Sequence, residues 1–181
     1  MTDSISRTSR LRLLLVLLVS LVGCDQASKQ YAVTHWAHLE TQPPQSYCYD
    51  TFRITFAYNE GAFLGLLDKQ PPNVRYAVLV IGNGLLLVAL AVAILWMPTI
   101  DRWSYLAWAL VFAGGIGNLI DRIRINAVID FLNLGINPVR TGIFNVADMA
   151  ITAGFLMLVP QIFRSEPKET QAPATTPGTP S

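Results

Sequence analysis

Carboxylates are concentrated in one stretch of an otherwise apolar chain. Residues 114–150 read GGIGNLIDRIRINAVIDFLNLGINPVRTGIFNVADMA and hold Asp121, Asp130 and Asp148, three of the 12 acidic residues. The stretch joins the end of one apolar run to the start of the next, so these acids fall where a membrane would meet water. An acid at membrane depth costs about 2.5–3.5 kcal/mol to insert, and it therefore indicates a functional site.

Two of these acids lack a local counter-ion. Asp130 stands in VIDF between apolar residues, so desolvation is expected to raise its pKa. Asp148 follows Asn145 by three residues at the start of a predicted helix, where the helix N-terminus stabilises an anion. Two such carboxylates suit an aspartic dyad, which shares one proton: one acid takes a proton from water while the other donates to the carbonyl or leaving group.

Other polar residues have spacings that predict a supporting frame. Asp121 and Arg122 follow Asn118 by three and four residues, respectively. One helical face can therefore present an amide, an acid and a guanidinium. Arg122 offers Asp121 local neutralisation, which favours a structural role for Asp121 over direct catalysis. Asp25 and Lys29 are four apart and are predicted to form an ion pair, either an interfacial salt bridge or a strut beside an active site.

Other chemistries have weaker signals. A Gly-x-Ser-x-Gly elbow is absent, and Cys24 and Cys48 have no base placed by sequence. His35 and His38 form only a His-x-x-His pair, which is more typical of the membrane interface than of a zinc site. We therefore predict no metal and no cofactor. The net charge of +1 includes no basic block, so a nucleic-acid partner is not expected.

The composition predicts a mainly α integral membrane protein. Hydrophobic residues make up 52% of the 181 residues and charged residues only 14%, against about 25% in soluble domains. Four apolar runs are predicted to span the membrane, at about 13–33, 76–97, 103–120 and 144–163. Residues 1–164 are expected to form one membrane-embedded domain, with extramembrane segments at 34–75 and 121–143. The polar, Pro/Thr-rich residues 165–181 are predicted to be a disordered tail.

The first long extramembrane segment contains two further signals. Residues 47–58, YCYDTFRITFAY, are rich in aromatic and β-branched residues, which predicts a short strand or two. Residues 59–65, NEGAFLG, have the small residues of a tight turn followed by an amphipathic segment lying on the membrane.

Four spans place both termini on one side of the membrane. Arg7, Arg10 and Arg12 favour a cytoplasmic N-terminus, although basic residues beyond the third span make the two compartments roughly equal in charge. With this topology eight polar residues from separate segments meet near the outer leaflet. They are Asp25, Asn59, Asn118, Asp121, Arg122, Asp130, Asn145 and Asp148.

Two alternatives to an enzyme stay open at this point. The apolar run Leu13–Val22 ends in Leu-Val-Gly-Cys24, which resembles a lipoprotein cleavage box, so the chain could be a processed lipoprotein. Three further apolar runs favour an uncleaved first span instead. Intramembrane acids also mark ion pathways, which keeps a small transporter or proton-relay protein as the second alternative.

Five blocks of the chain, taken in order, closely resemble lipoprotein signal peptidase, the bacterial membrane aspartic protease also called signal peptidase II. The resemblance covers about residues 11–164. It rests on DQASK at 25–29, NEGAF at 59–63, GGIGNLIDR at 114–122, VIDF at 128–131 and FNVAD at 144–148. It implies four transmembrane helices, a small extracytoplasmic β-cradle and an amphipathic interfacial helix.

The resemblance also implies an activity and a set of roles. The activity is removal of the signal peptide from diacylglyceryl-modified prolipoproteins, just before the lipidated cysteine, at the periplasmic side of the bacterial inner membrane. Asp130 and Asp148 match the catalytic pair. The residues matching substrate-binding or dyad-supporting positions are Asn59, Gly61, Asn118, Asp121, Arg122, Asn145, Asp25 and Lys29. Membrane lipids and cyclic peptide inhibitors of the globomycin type are implied partners, and a monomer is expected.

Overall fold

The computed structural model describes residues 6–61, 67, 70–97 and 100–162, which form helices and one small antiparallel sheet. The helices are α1 Arg7–Trp36, α2 Pro72–Tyr76, α3 Asn83–Trp96, α4 Arg102–Ile125 and α5 Val146–Ile162. A 3-10 turn, Ala37–Glu40, follows α1, and a π-helical segment, Ala77–Gly82, joins α2 to α3. The strands are β1 Gln45–Tyr47, β2 Phe52–Asn59, β3 Val128–Ile136 and β4 Val139–Arg140.

Three helical segments in the described part of the chain are long and apolar enough to cross a membrane: Arg7–Glu40, Pro72–Trp96 and Arg102–Ile125. They match the first three predicted spans, of which the second ends one residue earlier than predicted, at Trp96. The predicted fourth span coincides with α5, whose apolar part, Val146–Pro160, is shorter than these segments. At 1.5 Å per residue, the 17 residues of α5 reach only about 26 Å, against a hydrocarbon thickness of about 30 Å.

Helix α4 is the central helix, because it packs against α1, α3 and α5. Its face toward α5 carries small residues, which let the two backbones approach closely. A Cβ added at Gly114 would clash with the carbonyl oxygen of Ala147 and would lie 2.7 Å from Ile151 Cγ1. A Cβ at Gly117 would lie 2.7 Å from Asp25 Oδ2. Gly114 and Gly117 therefore permit the close approach of α4 to α5 and α1, respectively.

Helix α4 extends further than the sequence predicts. The predicted span ends near residue 120, whereas the helix continues to Ile125 and is capped by Asn126, whose backbone is left-handed at φ 57°. Asparagine tolerates this conformation and commonly ends a helix in it. Asp121 and Arg122 consequently lie within the last helical turns, in agreement with the helical face that they were predicted to share with Asn118.

The sheet has the order β1-β2-β3-β4, and every neighbouring pair is antiparallel. A bulge lies in β2 between Ile54 and Ala57. The end of α1 packs against the sheet in a cluster built on Ala32, Leu39, Phe56 and Phe131. The strands predicted within residues 47–58 are thus confirmed, and VIDF forms the start of β3. The predicted amphipathic segment and the predicted disordered tail lie largely outside the described residues.

We expect Gly114→Ala to destabilise the protein, because the new methyl group must push α4 away from the α5 backbone. Overpacking of this kind costs about 1–3 kcal/mol. Thermal unfolding in detergent measures the change. Gly23→Ala on α1 is the matched control, since no atom lies within 4 Å of its added Cβ. That variant should keep or slightly raise the midpoint, and equal midpoints for the two variants would contradict the close contact.

Candidate active site

Asp130 is buried on β3 and is held by two side-chain amides. Only 2% of the Asp130 surface is exposed. Asn145 Nδ2 donates to Asp130 Oδ1 at 2.6 Å, and Asn59 Nδ2 donates to Asp130 Oδ2 at 3.0 Å. Burial raises the pKa of Asp130 to about 7, and the charge of Asp148 adds to this, while the two amides and Lys29 oppose it. The predicted upward shift of the Asp130 pKa is therefore confirmed.

Asp148 lies in the first turn of α5 and forms a reciprocal cap with Asn145. The backbone N–H of Asp148 donates to Asn145 Oδ1 at 3.0 Å, and the backbone N–H of Asn145 donates to Asp148 Oδ2 at 3.2 Å. This arrangement is a capping box with asparagine and aspartate in the two roles. Asn118 Nδ2 donates to the other oxygen, Asp148 Oδ1, at 2.8 Å. Asp148 is half-buried, so it is more accessible to water than Asp130.

Asn145 connects the two acids. It is fully buried, and its Nδ2 donates both to Asp130 Oδ1 and, at 3.2 Å, to Asn118 Oδ1. Its backbone N–H also donates to Asp148 Oδ2. A strand acid and a helix acid that are 18 positions apart in the sequence are therefore joined through one side chain and one backbone amide.

Lys29 is a fully buried cation beside the two acids. Its ammonium lies 2.8 Å from Asp25 Oδ2 and 2.9 Å from Asp121 Oδ2, and it donates to Asn118 Oδ1 at 3.0 Å. These three oxygens match the three N–H donors of an ammonium group. The predicted Asp25–Lys29 ion pair is confirmed, and it belongs to a buried cluster directly beside the two acids.

The same cluster ties four elements together. Gln26 Nε2 donates to Asp121 Oδ1 at 3.0 Å, and the backbone N–H of Ile129 donates to Asp121 Oδ2 at 3.3 Å. Asp25 Oδ1 accepts from the backbone N–H of Ala147 at 2.9 Å. Asp25 and Asp121 thereby hold α1, α4, the start of β3 and the start of α5 in one arrangement. Sequence reasoning missed Gln26, because its partner on α4 lies 95 residues away.

Arg122 acts on Asp121 only through its charge at a distance, and another residue forms the ion pair with Asp121. Lys29 of α1 is the counter-ion of Asp121, and the Arg122 guanidinium instead donates from Nη2 to the carbonyl oxygen of Gly61 at 3.2 Å. Consecutive residues of an α-helix point about 100° apart, so the two side chains face different neighbours.

Arg122 borders a cavity of about 330 Å³ beside the site. Glu60 and Arg75 also line this cavity, and they form an ion pair at 2.8 Å. Asn59 Oδ1 accepts from the backbone N–H of Gly61 at 3.2 Å. The predicted loop residues Asn59 and Gly61 are therefore brought to Asp130 and Arg122, respectively. Sequence reasoning did not find the Glu60–Arg75 pair.

The hydrogen bonds of this cluster do not involve Cys24, Cys48 or His35. Cys24 and Cys48 are both free and exposed. His35 stacks on Tyr31 with ring centroids 4.0 Å apart, near the end of α1. Both observations are compatible with the interfacial position expected of the aromatic residues there.

The fold and the site together define a helical membrane protein with paired carboxylates held by asparagine amides. The family model described as signal peptidase (SPase) II matches residues 17–164. Lipoprotein signal peptidases of Streptococcus pyogenes serotypes M6 and M5 are each 37% identical over 156 residues, which cover 86% of this chain and 95% of the relative. The chain belongs to the signal peptidase II family, and it is therefore a peptidase of lipoprotein processing with a membrane location.

Two solved structures share the fold. Both are described as bacterial membrane enzyme structures determined by the in meso method, at 2.3 Å and 1.9 Å resolution. The first is 24% identical with a TM-score of 0.71, covering 90% of this chain and 92% of its own. The second is 23% identical with a TM-score of 0.72, covering 92% of this chain and 99% of its own.

We expect Lys29→Met to destabilise the protein strongly, because it leaves Asp25 and Asp121 buried without their counter-ion. Removing one partner of a buried ion pair costs about 3–5 kcal/mol. Thermal unfolding and folded yield in detergent measure the loss. Lys29→Met combined with Asp25→Asn should recover part of it, because one buried charge is then removed. Arg12→Met, an exposed cation on the same helix as Lys29, is the control, and a loss as large as that of Lys29→Met would count against the buried cluster.

Proposed function

We propose that the protein is an aspartic endopeptidase that removes the signal peptide from diacylglyceryl-modified prolipoproteins and cuts just before the lipidated cysteine. The proposal rests on one observation above all: Asp130 and Asp148 are joined through Asn145 in a buried polar cluster. Family membership supports the substrate class, and the two carboxylates supply the acid and the base that amide hydrolysis needs.

The different surroundings of the two acids divide their roles. Asp130 is the acid, because burial favours its protonated form up to about pH 7. Asp148 is the base, because its half-buried carboxylate lies where water can reach it. A water molecule gives a proton to Asp148 as its oxygen bonds to the scissile carbonyl carbon. Asp130 gives its proton to the carbonyl oxygen.

The second half of the reaction reverses both transfers. The carbon–nitrogen bond breaks, and the leaving nitrogen takes the proton from Asp148. Asp130 recovers its proton from a hydroxyl of the intermediate, so both carboxyl groups return to their starting states. Asn145 and Asn118 keep the acids aligned throughout, because each amide is fixed by a second polar contact.

The neighbouring polar groups are proposed to hold the substrate and to brace the dyad. Arg122 borders the cavity and donates to the carbonyl oxygen of Gly61, so this pair suits contacts to the substrate backbone. The two acids of the dyad are held in place by the neighbouring ion cluster of Asp121, Asp25 and Lys29. We propose that globomycin-type cyclic peptides compete at this same site and that the protein acts as a monomer among membrane lipids.

The proposed topology has four spans within one domain of residues 1–164. Helix α5 is the fourth span, and its close packing along α4 supports this assignment despite its short apolar part. Both termini then lie in the cytoplasm of a bacterium, and the dyad lies at the periplasmic side of the inner membrane. Arg7, Arg10 and Arg12 before the first span favour that orientation.

Asp130→Asn and Asp148→Asn should each abolish cleavage of a diacylated precursor while the protein stays folded and membrane-inserted. Each variant removes the proton donor or the base, so we expect a loss of at least about 1,000-fold. A gel-shift assay of precursor processing measures the rate.

Two further substitutions sharpen that test. Asp50 lies at the end of the sheet remote from the dyad, so the Asp50→Asn variant should keep its activity. Asp121→Asn should lower folded yield, because Lys29 and Gln26 lose a charged partner. Substantial cleavage by either Asp130→Asn or Asp148→Asn would remove that residue from the catalytic pair.

The cleavage rate should follow a bell-shaped pH profile whose alkaline limb falls near pH 7, where Asp130 loses its proton. Asn59→Leu removes an amide that lowers the Asp130 pKa, so the alkaline limb should move to higher pH. Rates measured across pH for this variant and for Gln42→Leu, which removes an exposed amide outside the site, check the direction. An unchanged limb in Asn59→Leu would contradict the acid role of Asp130.

A further inference from the structure

Residues 141–145 lead from the sheet to α5 and end at Asn145, the residue that joins the two acids of the proposed dyad. We call them the return segment. They form no helix or strand, apart from an isolated bridge between Phe144 and Leu132. Because such a segment has no ladder of its own, its conformation depends on hydrogen bonds to neighbouring elements. What holds the return segment therefore places Asn145.

The backbone of β3 holds the return segment near both ends. Phe144 and Leu132 exchange two backbone hydrogen bonds, at 2.8 and 2.9 Å. The backbone N–H of Thr141 donates to the carbonyl oxygen of Leu134 at 2.7 Å, and the Thr141 hydroxyl accepts from the backbone N–H of Leu134 at 3.0 Å. The same strand carries Asp130. One element therefore positions the acid and also the segment that brings an amide to it.

Asn133 adds a side-chain contact to this backbone pairing. It is only 9% exposed, and its Nδ2 donates to the carbonyl oxygens of Thr141 at 2.7 Å and Gly142 at 3.4 Å. Arg140 Nε donates to Asn133 Oδ1 at 2.5 Å. Because a guanidinium only donates and a carbonyl only accepts, one orientation of the amide satisfies both sides. Arg140 is fixed in turn by the backbone oxygen of Asp50, at 2.6 Å, which the Asp50→Asn variant keeps.

Packing by itself favours a different residue at position 133. Asparagine is depleted in β-strands, and a buried amide costs free energy unless it is hydrogen-bonded. A β-branched apolar residue would meet neither penalty. In the described part of the chain, the side-chain bonds of Asn133 all go to residues 140–142. Side-chain packing does not hold that part of the chain, since a Cβ added at Gly142 meets no atom within 4 Å.

We propose that Asn133 is a positioning residue for the peptidase reaction, which clamps the return segment to β3 and so keeps Asn145 within hydrogen-bond distance of Asp130. Asn133 bonds to neither acid and acts through Asn145 alone. The inference rests on the proposed function, because it assigns Asn133 a role relative to the dyad.

Loosening the clamp has a specific consequence for the pH dependence of cleavage. The Asn145 amide lowers the pKa of Asp130, whereas burial and the charge of Asp148 raise it. Lys29 also lowers it, and the charge of Arg122 acts on the same acid from α4. A substitution at position 133 leaves these charges unchanged. A weaker bond from Asn145 therefore raises the Asp130 pKa and moves the alkaline limb of the rate profile to higher pH.

Asn133→Leu in the full chain tests the clamp, because it removes both amide contacts and keeps a side chain branched at the same carbon. At temperatures well below its unfolding midpoint, kcat for a diacylated precursor should fall about 10-fold through misalignment of the dyad. KM should stay within about 2-fold, and the alkaline limb should move to higher pH. Gln45→Leu removes an exposed amide from β1 of the same sheet and is the matched control, which should change none of these values.

Asn133→Val gives the same readouts if the leucine variant folds poorly, since strands favour valine. A lower unfolding midpoint with unchanged kcat and an unmoved alkaline limb would make Asn133 a merely structural residue and overturn the proposal. A rise in KM alone would overturn it as well, because that result belongs to a substrate contact. Cleavage by Asp130→Asn would instead overturn the dyad. An inactive Asp130→Asn together with wild-type behaviour of Asn133→Leu would overturn only the clamp.

Discussion

The buried ammonium of Lys29 is the interaction on which the other parts of the structure depend. It binds Asp25 of its own helix and both Asp121 and Asn118 of α4, so it closes the contact between α1 and α4. Asp25 then uses its second oxygen to hold the backbone of Ala147 at the start of α5. The position of α5, and with it the position of one proposed catalytic acid, follows from this ion cluster.

The two acids of the proposed pair differ because they come from different kinds of element. Asp130 extends from a strand into a buried polar pocket, where desolvation raises its pKa to about 7. Asp148 lies in the first turn of a helix, half-buried and capped by Asn145. A strand and a helix end thus supply two carboxylates with separate environments. Such separation is what lets a pair of carboxylates take the roles of acid and base.

The small sheet differs in chemistry between its two ends. Near the helices, β2 supplies Asn59 and β3 supplies Asp130, so strand pairing itself brings the amide to the acid. At its remote end the same face becomes apolar and exposed at Ile136 and Val139.

The sequence by itself determined the membrane class, the two acids lacking local counter-ions, the Asp25–Lys29 pair and the strands before Asn59. These depend on composition and on short spacings, which fix which side chains share a face. Only the tertiary structure decided that Lys29 forms the ion pair with Asp121, and that Asn145 joins Asp130 to Asp148. Those outcomes depend on contacts between elements that are distant in sequence, and short spacings contain no information about them.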